Sequence, residues 1–425
     1  MYAEASLTNP QRTDPVMRRT PPLSTTAARI RPPVFAELQA RIDRLAARGT
    51  ELVPLQIGDT WLAPPEAASR ALGATDGSDT SIYRYGSTAG VAALREAIAH
   101  VVRRHGLDVD PEDEVLVGNG GTHALFCAAR AVLDAGDEVL MASPYWPLAP
   151  GIFTSCGAVP TDVALTQRLY EDDSLDAGGI FAAAIGPRTK AIYLISPNNP
   201  DGKVLSRKQL ESIAAVAREH DLWVFSDEVY AETVFEGEHL SIATLPDMRD
   251  RTIVLHSMSK SHALAGCRVG FAIAPPPVVA SGRRVSTHSA FNVSIVMQRA
   301  ALAALGDDAF PRAAKATYKD ARDRALKALS GAPVKVHRAD GATYLFVDFA
   351  PAFEAMGPER AGERPLIALL ERAVDRGVLL APGDAFGTGY DTCARLCTTA
   401  VPAPRVLLGI ERLLDALDAM RAGKA

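Results

Sequence analysis

Glu114-Val115-Leu116-Val117-Gly118-Asn119-Gly120-Gly121-Thr122 is a short apolar run that breaks into glycines, and the amphipathic segment Thr122–Leu133 follows at once. This is a strand, a tight turn and a helix start. Glycines let backbone come close to a ligand, and the first N–H groups of a helix are free for an anion, although the same turn also serves as a plain connection. The alternation repeats down the chain. Strands are expected at Glu138–Met141, Ala191–Ile195, Trp223–Phe225, Thr252–Leu255 and Arg268–Ile273, and helices at Arg207–His220 and Val293–Leu305. Continuous apolar strands separated by helices imply an α/β fold whose mostly parallel sheet is covered on both faces. Upstream, Leu38, Ile42 and Leu45 give Val34–Arg48 helical spacing that stops at Gly49. Downstream, a long helix is expected to leave the sheet around Asp307–Ala316. A smaller α/β unit follows, with strands near Val334–His337, Ala342–Asp348 and Gly377–Leu380.

The 425 residues leave chain for two or three domains, and 48% hydrophobic with 22% charged residues is an ordinary globular balance. A net charge of −5 without blocks of like charge argues against nucleic acid or an anionic membrane as partner. No run reaches the ~18 apolar residues of a membrane span, and the N-terminus has no signal-like apolar region. A soluble, cytoplasmic protein is expected. Cys127, Cys156, Cys267, Cys393 and Cys397 lack metal-ligand spacing and read as reduced thiols, mostly buried. The scattered prolines of Asn9–Arg31 read as a mobile or extended arm.

The polar residues after the strands share a theme. Lys260 lies in Ser257-Met258-Ser259-Lys260, just beyond Thr252–Leu255, with Arg268-Val269-Gly270 following. An amine there can form a Schiff base with an aldehyde, while the hydroxyls and guanidinium can bind a phosphate, and pyridoxal phosphate carries both groups. A lone lysine in such a run also fits a solvated loop, so its company decides. In an open parallel sheet the ligand lies beyond the carboxyl ends of the strands. Ala191–Ile195 ends in Ser196-Pro197-Asn198-Asn199-Pro200-Asp201-Gly202, a turn whose asparagine amide can donate to a phenolate oxygen. Trp223–Phe225 ends in Ser226-Asp227-Glu228-Val229-Tyr230. A buried aspartate is costly without a cation, which a pyridinium N–H supplies, and Tyr230 can reach the same side as a phenol donor.

These ordered motifs resemble the pyridoxal-phosphate-dependent aminotransferases of the aspartate aminotransferase superfamily (fold-type I, class I and II), over nearly everything from about Leu55 to Ala400. The resemblance implies a large domain with a mostly parallel seven-stranded sheet at 61–310 and a smaller α/β C-terminal domain at 311–425. It also implies a helix and small-domain segment at 31–60, after an extended or disordered arm at 1–30. By the same resemblance Lys260 is the Schiff-base lysine, Asp227 the pyridine-nitrogen partner, and Asn199 and Tyr230 the phenolate donors. Gly120, Gly121, Thr122, Ser257 and Arg268 would hold the phosphate of pyridoxal 5'-phosphate, Trp146 would stack on its ring, and Tyr85 would reach the partner subunit's phosphate in a homodimer. Arg395 matches the arginine that grips the substrate α-carboxylate with two parallel hydrogen bonds, and Ile57 and Gly58 would close that pocket. The implied reaction moves an amino group from an α-amino acid to a 2-oxo acid by ping-pong chemistry, with no metal.

Two motifs depart from the family pattern. Asp201 replaces the usual threonine of the asparagine turn, and Gly58-Asp59-Thr60-Trp61 replaces a Gly-Glu-Pro-Asp-Phe-like entry, which brings Trp61 to the substrate side. A donor side chain meeting Trp61 and Tyr145 would be apolar, aromatic or bulky. His123 reads as a packing or orienting residue, and Arg283 and Arg284 as surface arginines or readers of a second carboxylate. A lyase or cyclase on the same scaffold uses the same cofactor residues and stays open, the more so because Asp227–Phe235 is similar to the cyclopropane synthases. A regulatory protein would add a DNA-binding module, for which residues 1–55, with one helix and a Pro-rich arm, are too little.

Overall fold

The computed structural model describes residues 22–423 apart from Pro33, Phe35 and 75–78. Most of the expected N-terminal arm lies outside these residues, and its described end corrects the expectation of extended chain. Thr25–Arg29 forms one short helix, with the Ser24 side chain accepting from the Ala27 amide as its cap. Among the described residues no helix is long and apolar enough to cross a membrane.

Strand β1 (Val53–Pro54) precedes the main sheet. That sheet contains β2 (Val115–Asn119), β3 (Glu138–Ser143), β4 (Val159–Ala164), β5 (Thr189–Ile195), β6 (Trp223–Asp227), β7 (Thr252–Ser257) and β8 (Val269–Ile273), in the order β2-β8-β7-β6-β5-β3-β4. It is parallel except for β8, which runs antiparallel to both β2 and β7. All six expected strands are present, and the mostly parallel seven-stranded sheet is the one the family resemblance implied. The seventh, β4, was not foreseen. It is an edge strand in which Pro160 and Asp162 interrupt the apolar pattern, and both are tolerated where one side has no ladder to complete.

Register positions the site. Ile195 pairs with Asp227 and Asp227 with Leu255, so three central strands end level and release their loops at one edge. The loop after β5 returns through a helix, Arg207–Glu219, opened by a reciprocal cap. There the Ser206 hydroxyl accepts from the Gln209 amide and the Gln209 side chain accepts from the Ser206 amide.

A second, antiparallel sheet is built from β9 (Lys335–Val336), β10 (Tyr344–Asp348), β12 (Ala381–Pro382) and β13 (Cys393–Cys397), in the order β12-β13-β10-β9. Strand β11 (Val378–Leu379) pairs instead with β1, in parallel, which ties the N-terminal segment to this end of the molecule. One apolar core joins Leu38, Val53 and Leu55 to Leu369, Leu396 and Leu413. Strand β13 was not expected because Arg395 stands in the middle of its five residues. It forms because β10 and β12 flank it and Arg395 opposes Phe346 in register.

Candidate active site

A cavity of about 470 Å³ opens at the level strand ends, between the two sheets. Its walls include Ile57, Gly58, Gly121, Thr122, Trp146, Asn199, Asp227, Tyr230, Ser257, Lys260, Arg268 and Arg395. Four of the residues that the sequence reading placed at a cofactor or substrate do not line it. Gly120 lies just behind the wall, Tyr85 is 86% exposed with its ring edge-on to Phe291, and Trp61 is 45% exposed with its amide bonded to the Thr399 carbonyl. Tyr145 does not line it either, since its buried hydroxyl donates to Asp162 at 2.7 Å. The apolar rim is made instead by Val34, Ile57, Leu148 and Phe386.

Lys260 sits on a single helical turn, Met258–Ser261, capped by the Ser257 hydroxyl, which accepts from the Ser259 amide at 3.2 Å. Its half-buried amine donates to the Gly58 carbonyl. Nearby, Gly120 at φ +78° opens a thirteen-residue helix with no side-chain cap, so its first amides are free. A Cβ on Gly120 would lie 2.5 Å from Arg268 Nη2, and one on Gly270 would lie 2.3 Å from the Gly121 nitrogen. Glycine at both positions thus lets β8, the helix start and the Arg268 guanidinium close into a cradle. Free amides, the Ser257 hydroxyl and an exposed arginine make a donor set that fits a phosphate.

Asp227 ends β6 almost fully buried. Tyr193 donates to it at 3.0 Å and the Val229 amide at 3.3 Å, but no cation does among the described residues. Burial pushes its carboxyl up to about 6, against the pull of the Tyr193 hydroxyl. A positively charged N–H on the cavity side would reverse that shift, which is what a pyridine nitrogen offers. Lysine, aspartate and anion cradle therefore fit pyridoxal phosphate.

Arg395, 6% exposed, donates to Asn199 Oδ1 at 2.9 Å and to the Gln56 carbonyl at 2.6 Å, both neutral acceptors. Its guanidinium lies over the rings of Tyr344, 4.4 Å, and Phe386, 5.0 Å. Among the described residues its Nε has no hydrogen-bond partner, nor does Gln56 Oε1. Such an arrangement can take up a carboxylate. The Tyr230 hydroxyl bonds the Tyr344 hydroxyl at 2.7 Å, and burial, with Tyr344 next, pushes it well above the ordinary phenol range.

The sequence reading missed Tyr193, Tyr344, Gln56 and Phe386. The two tyrosines lie in strands that were expected, where an aromatic reads as core. The only available signal was a phenol in a strand that ends at the site. The other singled-out residues have structural partners. Asp201 is buried and satisfied by Thr166 at 2.5 Å, Gln167 at 2.9 Å, Asn198 at 2.8 Å and the Lys203 amide at 3.1 Å, so donors from the turn and from the helix Thr166–Glu171 meet its carboxylate. His123 accepts from the Asn119 amide and meets the Ser289 hydroxyl, an orienting role. Arg283 binds the carbonyls of Glu112 and Val115, away from the cavity.

Residues 50–413 match the family model described as aminotransferase class I and II. An aspartate/prephenate aminotransferase of Thermus thermophilus is 34% identical over 373 residues, spanning 86% of this chain and 91% of that one. An arginine–pyruvate transaminase of Pseudomonas aeruginosa is 34% identical over 346 residues, spanning 80% and 84%. Among solved structures, aspartate aminotransferase from Thermus thermophilus with maleate superposes with a TM-score of 0.82 at 31% identity, covering 93% of this chain and all of that one. The chain belongs to the class I and II aminotransferases, a family that in general depends on pyridoxal phosphate. It is an enzyme of amino-group transfer. The lyase and cyclase alternative is not favoured, since these relatives are named as aminotransferases.

Proposed function

We propose that this aminotransferase uses pyridoxal phosphate attached through Lys260, acts as a cytoplasmic homodimer, and moves the amino group of an α-amino acid with an uncharged, largely apolar side chain to a 2-oxo acid. What supports the reading is that Lys260, Asp227 and Arg395 line one cavity. When bound, the cofactor supplies an aldehyde that takes up the amino group and a ring that draws electrons from the substrate α-carbon. Asp227 would hold the proton on the ring nitrogen, and its own raised proton affinity would fall on gaining that partner. Asn199 and Tyr230 would donate to the ring oxygen, and Trp146 would pack on the ring. The amides of Gly120, Gly121 and Thr122, with Ser257 and Arg268, would hold the phosphate, and Tyr85 would reach the phosphate in a partner subunit. Arg395 grips the substrate carboxylate, with Ile57 and Gly58 closing over it. Lys260 would hold the cofactor aldehyde, and its Nζ would be the base that takes the substrate α-proton.

The donor class follows from the rim. Val34, Ile57, Leu148 and Phe386 are apolar, and among the described residues the basic ones in the cavity wall are Lys260, Arg268 and Arg395, each with a role already. The test is absorbance of the purified, cofactor-loaded protein against a panel of amino acids. An apolar amino acid should convert the visible band to that of the aminated cofactor, and a 2-oxo acid should restore it. Persistent long-wavelength absorbance with ammonia or a cyclic product would overturn transamination. Faster conversion by aspartate than by any apolar amino acid would overturn the donor class.

A further inference from the structure

Tyr344 has no role in the chemistry described so far, yet it touches three of its parts. It begins β10, in register with Cys397 of β13, two residues from the Phe346–Arg395 pair. Alternation along both strands therefore puts the Tyr344 ring and the Arg395 side chain on one face, where the ring meets the guanidinium at 4.4 Å. Its hydroxyl reaches the other way, to Tyr230 at 2.7 Å. It also fills the space left by Gly58, where a Cβ would stand 2.1 Å from the Tyr344 oxygen, and Gly58 is the residue whose carbonyl accepts from Lys260. Tyr344 is 2% exposed, so water does not compete for these contacts.

We propose that Tyr344 is a positioning residue that couples the carboxylate-binding Arg395 to the phenol of Tyr230. A phenol has one proton. If Tyr230 donates its proton to the cofactor ring oxygen, its lone pair must accept from Tyr344, so Tyr344 is the donor of the 2.7 Å bond. A donor behind a donor strengthens the forward bond, because each polarises the next. The guanidinium over the ring fixes where that donor points. Arg395 reaches the second ring-oxygen donor as well, through Asn199 Oδ1 at 2.9 Å. Occupancy of the carboxylate pocket is thus relayed to Tyr230 along Arg395–Tyr344.

The inference rests on the reading of Arg395 and Tyr230 given above, and its test needs bound cofactor but no turnover. The readout is the pH midpoint of the bound cofactor's visible absorbance in wild type, Tyr344→Phe, Tyr230→Phe and the double variant. Tyr344→Phe keeps the ring and should retain the band, while its midpoint rises by about half a pH unit as the ring-oxygen bond weakens. In the double variant the Tyr344 change should add nothing to the Tyr230→Phe shift. In turnover, Tyr344→Phe should lower kcat with KM within about twofold, whereas Tyr344→Leu, which also loses the ring beneath Arg395, should raise KM about tenfold. An unchanged midpoint in Tyr344→Phe, or fully additive shifts in the double variant, would overturn the coupling. Failure of wild type to react with any amino acid would instead overturn the transamination reading, and the pH midpoints of the four proteins would still judge Tyr344.

Discussion

Asp227 and Glu228 are neighbours at one strand end, both buried, and the protein treats them in opposite ways. Glu228 turns away from the cavity. It accepts from the Ser226 hydroxyl at 2.9 Å, the Ser241 hydroxyl at 2.7 Å and His239 Nε2 at 2.9 Å. Burial pushes its carboxyl up, but His239, His256 and Ser241 pull it down to about 2. Asp227 faces the cavity and is left short of a cation, at about 6. The buried arginines divide in the same way. Arg322 is paired with Glu236 and Asp323 and donates to the Ala339 carbonyl, whereas Arg395 in the cavity wall has neutral partners and an unbonded Nε. Charges that the fold completes are structural. Charges that it leaves short of a partner face the cavity.

The strongest way to break the contrast is to remove the incomplete charges. Asp227→Ala should lower kcat by about 10²–10⁴-fold while cofactor still attaches through Lys260, the range of an essential proton-holding group. A variant with wild-type kcat would make Asp227 a structural residue like its neighbour. Arg395→Ala should weaken substrate binding by about 2–5 kcal/mol, read as KM against a series of carboxylate substrates. Unchanged constants would move the carboxylate elsewhere.

Stability of the cofactor-free chain sharpens the comparison, because the two acids should respond with opposite sign. Glu228→Gln breaks a completed buried network and should cost about 3 kcal/mol or more in urea unfolding at pH 7. Asp227→Asn removes an uncompensated buried charge and should stabilise the chain at pH 7 by about 1–3 kcal/mol. The pH windows follow. Asp227, raised from 3.8 to about 6, contributes stability that is complete below 3.8 and is lost as pH rises through 6. Glu228, lowered from 4.5 to about 2, contributes stability that is complete above 4.5 and is lost as pH falls towards 2. Asp227→Asn should flatten the first window and leave the second, and the reverse pattern would contradict the assignment of the two environments.

Much of the site was legible because its chemistry lies at strand ends. There, residues such as Asn199, Asp227 and Lys260 break an apolar run, and polar types are costly without a purpose. The sheet was legible for the same reason, in runs such as Ala191–Ile195. What was hidden depended on contacts between segments far apart in sequence. Gln56, Leu148 and Phe386 come from three separate segments, and nothing local aims them at one cavity. Tyr344 is an aromatic in a strand, indistinguishable by pattern from Phe346 beside it. The exposed Trp61 and the inward-bonded Tyr145 were misplaced because an aromatic near a motif says nothing about which way its side chain turns.

The most direct test of the incomplete-charge cavity as a cofactor site is to fix the cofactor where it attaches. Reduction of the loaded protein with borohydride, then proteolysis and mass mapping, should place the pyridoxyl label on Lys260 and abolish the visible band, with no label in Lys260→Ala. A label on any other lysine, or a Lys260→Ala variant that still takes the label, would contradict the assignment of Lys260 and with it the roles given to Asp227, Tyr230 and Arg395.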